Sequence, residues 1–491
     1  MTREYFDPDI ECLPLGKLIE LQQRNLLHAD IIRSAAKSVI YRDAWQQAGI
    51  KPEALRDRGG LRGLPYINSA VIKQAYLKYN VADIVDMEHA RLWSCTSGST
   101  GTAKWIPYSD SDLEYFNQIL MRNFFLQGGR GEKHCALTLT SPAPFISDAL
   151  TSFGVMTQTQ MPTLNEAIPV GLNDIRGVIN LAQQRKADAL ISFPSIAMRM
   201  AEEISGSIKS EVSCRYRETG NLKYLAAKLL FSLKKPSVRD IFKLRYGIFS
   251  GESIAPYREA IRRHYGLEPF ATYTFTEFPC LNIECWEHRG IHIWSDFCVP
   301  EVIPQSELEK EEACPGYVPA ALFLDEAPAG MQGEYVITSF SQAFPLIRYR
   351  TADLVLVKGS DACVCGRTHP RIEVLRRLDD IINMGLIRFS IHELTMALSA
   401  VERYGSVDNW QLQMKRDGYK PLPEMHVTGK NISDAPLFIN EVKEQLMSIK
   451  ILKQGVDSGL VFQPVVVLEE RIKDETTPTG KLKRVIYAGN W

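Results

Sequence analysis

Residues 94–107 read SCTSGSTGTAKWIP. Five consecutive small residues, Ser97, Gly98, Ser99, Thr100 and Gly101, follow an apolar strand-like run and precede a stretch with helical spacing. With no bulky side chain in the way, backbone N–H groups of such a loop can converge on phosphate oxygens. The hydroxyls of Thr96, Ser97, Ser99 and Thr100 add donors, and Lys104 adds positive charge. A flexible linker would not need a lysine at this offset between ordered flanks. The GxxxxGK[ST] spacing of a Walker loop is absent. The expectation is strand, phosphate loop, helix, and with it an α/β fold.

Outward from the loop, short β-rich runs alternate with amphipathic stretches: LWSCTS, SDLEYFNQILMRNFF, HCALTLT, ADALISF and IAMRMAEEI. This alternation predicts βαβ units and a largely parallel sheet. Upstream, Leu18, Leu21, Leu26, Ile31 and Ile32 have helical spacing within 14–48, a helical preamble to a larger body. Residues 204–237 read as an inserted helical excursion. The stretch FKLRYGIFSGESIAPYREAIRRHYGL then repeats strand, turn and helix, with Pro256 near the helix start and Gly266 near its end. The chain changes character at RLDDIINMG, which predicts a domain boundary at Asp379. The expected architecture is a large N-terminal α/β body (1–378) and a smaller, mobile C-terminal α+β domain (379–491), with the acid pocket between them.

At 491 residues the chain exceeds what one hydrophobic core usually holds. Its 57 basic and 58 acidic side chains leave a formal charge of -1, no electrostatic basis for binding nucleic acid. The acidic N-terminus does not read as a signal peptide, and no apolar run approaches a membrane span. A cytoplasmic protein without a membrane partner is expected. In that compartment its ten cysteines are free thiols or metal ligands rather than disulfides.

Further stretches come after the loop in a fixed order: Ser250-Gly251-Glu252, Tyr273-Thr274-Phe275-Thr276-Glu277, Tyr349-Arg350-Thr351-Ala352-Asp353, Arg377-Leu378-Asp379-Asp380 and Gly480-Lys481. Together they resemble the motif series of the adenylate-forming superfamily, acyl-CoA synthetases and adenylation domains, and within it the phenylacetate-CoA ligase family. The resemblance implies a role for each matching residue. Thr276 contacts a phosphate and Glu277 holds Mg²⁺. Asp353 accepts hydrogen bonds from the ribose hydroxyls. Ser250, Gly251 and Glu252 line the adenine slot with Tyr273. Lys481 neutralises charge between the acid's carboxylate and the α-phosphate, Asp379 is a hinge, and Arg377 anchors to nucleotide or linker. Two departures stand out: Ala352 where the family usually has glycine, and Gly-Thr-Ala-Lys where it has Gly-Lys-Pro.

Cys363-Val-Cys365-Gly366-Arg367-Thr368 resembles a zinc knuckle, and Cys285-Trp-Glu-His288-Arg-Gly-Ile-His292 offers a cysteine and two histidines upstream. The spacing is not that of a CxxC finger. A subset of the same family carries both stretches as what looks like a structural zinc site. The resemblance implies Cys285, His292, Cys363 and Cys365 as ligands, with His288 as the substitute for His292.

The function these features imply is ATP-dependent activation of a small carboxylic acid, aromatic or arylalkanoic by resemblance, as its acyl-adenylate. Transfer to coenzyme A comes next, with magnesium as cofactor. SPAPFISDALTSFG (141–154) is plausible wall material for the acid pocket. Transfer to a carrier protein or an amine is the alternative, and a catalytically silent, zinc-stabilised nucleotide sensor is the rival from another class. A homodimer is compatible with all three.

Overall fold

The computed structural model describes residues 4–28, 31–51, 55, 57–96, 104–129, 133–139, 164–169, 175–233, 236–251, 254–255, 257–378, 381–384, 387–417, 420–472 and 484–487. The chain divides into two compact units: residues 1–351 with 355–374, and residues 352–354 with 375–491. The expected boundary at 378/379 remains a reading of the sequence, and Asp379 lies outside the described residues.

The first unit is mixed α/β around a sheet of thirteen strands. Five strands are parallel neighbours in the order Leu164–Pro169, His134–Leu139, Ala189–Ser192, Tyr246–Phe249 and Glu268–Phe275. Helices Ile175–Arg185, Pro194–Thr219 and Arg258–Tyr265 supply crossovers, which parallel strands require. Their apolar faces form a core with the sheet through Leu137, Leu190, Ala197, Met200, Phe249 and Ile261. Gly266 ends the last of these helices in the left-handed region at φ 70°.

Beyond Phe275 the sheet is mixed rather than parallel, so the expectation of a largely parallel sheet holds for one part of it, five strands of thirteen. Phe275 pairs directly with Phe278 across a two-residue turn, Thr276-Glu277, and the next strand, Phe278–Glu284, runs back antiparallel. No crossover helix fits into two residues. Strand Ile291–His292 continues antiparallel and pairs on its far side with Arg371–Arg377. Tyr349–Gly359, Gln332–Ser339, Cys298–Pro304 and Leu322–Phe323 complete this half, with Ile67–Asn68 parallel to Tyr349–Gly359.

A second correction concerns the phosphate loop. Strand Leu92–Cys95 pairs antiparallel with Trp105–Tyr108, Cys95 opposite Trp105. The loop therefore closes a hairpin and does not lead into a helix. The helical spacing downstream is real: helix Asp110–Leu126 starts with a capping box between Ser109 and Asp112. The prolyl-containing run WIPY, however, forms a strand first. The preamble 14–48 forms helices Leu15–His28, Ile31–Ala35 and Val39–Gln47, preceded by Pro8–Glu11, and the excursion at 204–237 lies in Pro194–Thr219, which begins before it, and Leu222–Leu233.

The second unit has its own core, including Phe389, Leu394, Trp410, Met414, Val427, Phe438 and Leu452. Its four-stranded sheet runs Val465–Leu468, Lys420–Lys430, Ser406–Asp417, Val485–Tyr487, with helices Ile391–Ser399, Ala435–Leu446 and Lys450–Asp457. Among the described residues, no helix is long and apolar enough to cross a membrane.

Candidate active site and cysteine–histidine cluster

Two hairpins come together in the first unit through Lys104 and Glu277. In one, Thr96 and Lys104 are joined by reciprocal hydrogen bonds: Thr96 N–H donates to the Lys104 carbonyl at 3.0 Å, and Lys104 N–H donates to Thr96 Oγ1 at 3.0 Å. The other is the Thr276-Glu277 turn. Lys104 Nζ forms an ion pair with Glu277 Oε1 and donates to Ser69 Oγ at 2.7 Å. The Tyr349 hydroxyl donates to the same Glu277 oxygen at 3.3 Å, and the Tyr108 hydroxyl donates to the Thr276 carbonyl at 2.8 Å. Both members of the ion pair are buried, so each charge depends on the other for compensation. Tyr76 donates to the Trp105 carbonyl, and burial, then the negative charge of Glu277, raises its pKa.

The sequence motifs join Lys104 to phosphate and Glu277 to magnesium without placing them together. They assign no role to Ser69, Tyr108 or Tyr349. Ser69 begins helix Ser69–Lys78, whose N-cap is Asn68, and Asn68 pairs with Arg350 in the parallel register that puts Ile67 opposite Tyr349. That register is a long-range pairing that no local pattern announces. Tyr349 stands within one of the motifs, and that is the one signal that could have found it.

Ser250 and Gly251 follow strand Tyr246–Phe249, and Ser250 N–H donates to the Ser192 carbonyl at 3.2 Å. Gly251 sits at φ 81°, a conformation that suits glycine. Tyr273, on the neighbouring strand, is buried with its ring 5.7 Å from Tyr335 and 5.8 Å from Phe275. Both segments thus lie toward the C-terminal ends of adjacent parallel strands, the usual ligand side of an α/β sheet. In the second unit, buried Asp353 pairs with Arg377 Nη1 at 3.5 Å. Ala352 beside it has φ 60°, which explains why a glycine is at home in this position. Ser97, Gly98, Ser99, Thr100, Gly101, Glu252, Asp379, Gly480, Lys481 and the 141–154 stretch lie outside the described residues.

A separate cluster is built where strand Ile291–His292 is sandwiched in the sheet. Cys285 follows the strand on one side of it, and Cys363 and Cys365 precede the strand on the other. The ligand atoms of Cys285, His292, Cys363 and Cys365 lie within 4.8 Å of one another, and all four residues are buried. Cys285 Sγ is 3.7 Å from Cys363 Sγ, and Cys365 Sγ is 3.6 Å from His292 Nε2. Bond lengths of about 2.3 Å to sulfur and 2.0–2.1 Å to nitrogen at tetrahedral angles give edges of roughly 3.6–3.8 Å, so the donor set fits zinc. Hydrogen bonding from Cys285, then from Cys365, holds the Cys363 thiol well below its usual range, while the same contact pushes Cys285 up. Burial keeps His292 neutral by lowering its pKa. A thiolate and a neutral imidazole are the protonation states that a metal selects.

The alternative ligand, His288, is committed elsewhere: Nδ1 lies 3.1 Å from Glu284 and Nε2 lies 2.9 Å from Glu268. The knuckle itself turns through Gly366 at φ 97°, where a Cβ would come within 2.0 Å of Tyr5 Oη. An N-terminal strap covers it. Tyr5 Oη donates to the Cys365 carbonyl at 2.9 Å, Arg367 Nε donates to Glu11 at 2.5 Å, and Thr368 N–H donates to the Glu11 carbonyl at 3.2 Å. All ten cysteines are free of disulfides, seven of them buried.

No family model matches the chain. It is 24% identical over 462 residues to the phenylacetate-coenzyme A ligase of Thermus thermophilus, covering 91% of this chain and 88% of that one. To the enzyme of the same name from Escherichia coli K12 it is 23% identical over 434 residues, 85% of this chain and 84% of the other. Among solved structures it is similar to 2-hydroxyisobutyryl-CoA ligase in the postadenylation state with 2-HIB-AMP, at TM-score 0.70 and 18% identity over 98% of this chain and 91% of that one. The GH3.15 acyl acid amido synthetase gives TM-score 0.66 and 12% identity over 97% and 93%. The fold is that of adenylate-forming enzymes, and the sequence resembles phenylacetate-CoA ligases over most of its length.

Proposed function

We propose that this chain is an ATP-dependent, AMP-forming acid–coenzyme A ligase, whose acid is aromatic or arylalkanoic. The observation that carries the reading is the meeting of Lys104, from the phosphate loop, with Glu277, from the Thr-Glu turn, in one buried cluster. They meet in a chain that resembles phenylacetate-CoA ligases over 91% of its length.

The chemistry explains why such groups are needed. A carboxylate has an electron-rich carbonyl and no good leaving group. One of its oxygens attacks the α-phosphorus of ATP, the bond to the pyrophosphate oxygen breaks, and the acyl-adenylate remains. The coenzyme A sulfur then attacks the acyl carbon, its proton is lost, and AMP leaves with the bonding pair. Two anions must approach in the first step, so cations decide the rate. In this proposal Lys481 neutralises the acid's carboxylate and the α-phosphate, Thr276 donates to a phosphate, and residues 96–101 with Lys104 cradle the remaining phosphate oxygens. Glu277 would hold magnesium, whose contribution when bound is to offset phosphate charge. Ser250, Gly251, Glu252 and Tyr273 receive the adenine, Asp353 the ribose, and Arg377 anchors beside it. A C-terminal domain from 379, turning at Asp379, removes Lys481 before the thiol arrives.

Cys285, His292, Cys363 and Cys365 would hold a structural zinc, since four protein ligands leave no open position for substrate. A cytoplasmic setting keeps those thiols reduced.

Acid-dependent ATP–pyrophosphate exchange over a panel of aromatic and aliphatic acids tests the proposal. Exchange with an aromatic acid, lost in Lys481→Ala, is expected. Silence with every acid, despite bound nucleotide, favours the sensor reading. Supplying coenzyme A, a carrier-protein arm or an amine to the activated acid separates the acceptors.

A further inference from the structure

The Lys104–Glu277 pair joins two side chains to which separate jobs were just given. Each side chain keeps 8% of its surface exposed. The ammonium is directed to Glu277 Oε1 and to Ser69 Oγ, and the same Glu277 oxygen also receives the Tyr349 hydroxyl. The backbone of Lys104 is fixed on both sides to Thr96. The end of the phosphate loop is thereby latched onto the Thr276-Glu277 turn. The Glu277 oxygen Oε1 is thus taken by an ammonium and a phenol, and two of the three donors of the ammonium are spent on a carboxylate and a hydroxyl.

We infer that Lys104 is a placeholder cation: in the nucleotide-free protein it occupies the position on Glu277 that a divalent metal takes, and it leaves only when phosphates arrive to receive it. The physical reason is charge compensation in a buried site. A metal that displaced Lys104 without nucleotide would leave an ammonium beside Ser69 with no counter-ion, a costly state. Nucleotide phosphates supply that counter-ion, so both cations are accommodated together and metal binding becomes coupled to nucleotide binding. Tyr349 and Ser69 act as positioning residues, holding the carboxylate and the ammonium in register. The inference rests on the ligase reading for the metal position on Glu277 and for the nucleotide that brings the phosphates.

The test is binding of free Mn²⁺, followed by electron paramagnetic resonance, without nucleotide, acid or coenzyme A. Lys104→Met is expected to bind Mn²⁺ about tenfold more tightly than the wild type or better, within the usual range of coupled sites. Lys104→Arg, which keeps the charge, gains nothing, and the gain disappears in Lys104→Met combined with Glu277→Gln. Equal affinities for wild type and Lys104→Met overturn the inference, and so does a gain that survives Glu277→Gln. Should Lys104→Met lose its cooperative melt, Ser69→Ala removes one acceptor of the ammonium and must raise Mn²⁺ affinity in the same direction; no rise overturns it. Failure here leaves a positive ATP–pyrophosphate exchange standing. Absence of exchange, in turn, leaves the Mn²⁺ result readable.

Discussion

The cysteine–histidine cluster and the Lys104–Glu277 cluster lie in the same compact unit, yet they solve the burial of polar groups in opposite ways. Around Cys285, His292, Cys363 and Cys365 the donors converge on a common centre within 4.8 Å and are sealed by the strap of Tyr5 and Glu11. Every ligand there belongs to the protein, so the site is complete without substrate. At Lys104 and Glu277 the charges of two hairpins neutralise each other. That arrangement is stable, but it can be exchanged for another when a competing anion and cation arrive together. A closed donor set suits structure, and an exchangeable ion pair suits turnover.

The sharpest way to break this comparison is to strip the first site of metal. Chelation under mild denaturant, or Cys363→Ser, is expected to release one zinc per chain and destabilise the first unit on the order of 4–5 kcal/mol, as loss of a structural metal does. Purified protein free of zinc by elemental analysis would refute the structural-metal reading. Within the same experiment His292→Gln should lose the metal and His288→Gln should keep it, because His288 is engaged by Glu284 and Glu268.

At the second site Glu277→Gln is expected to cut acid-dependent exchange by about 10²–10³, the usual scale for removing one transition-state charge partner, while zinc content stays unchanged. A parallel loss of zinc would mean that the two clusters are one structural unit after all.

The smallest effect is expected at Ala352, which serves neither cluster. Its φ of 60° strains an alanine, so Ala352→Gly should raise stability by about 0.5–1 kcal/mol after the entropy of glycine is subtracted. A lower denaturation midpoint in the glycine variant would show that packing of the methyl group outweighs the strain.

Local patterns are legible where physics is local. Gly266 ends a helix, and the apolar spacing of 14–48 gives helices. The expectation of a helix directly after the loop fails because WIPY and the helical run behind it compete over a few residues, and only pairing with Leu92–Cys95 makes the first a strand. The expectation of a parallel sheet extends too far because a two-residue turn at Thr276-Glu277 looks, in sequence, like any other polar pair.

By itself, then, the sequence determined the α/β class, the order of the motif series and the two cysteine-bearing stretches, since these depend on short-range spacing and composition. Tertiary structure brings His292 to the cysteines, the choice the resemblance implied over His288, and it alone decided that Lys104 grips Glu277 and that Ser69 and Tyr349 complete the cluster. Those choices hang on strand register: a shift of one residue turns a side chain to the opposite face of a sheet, and register is set by the whole core rather than by the residues that use it.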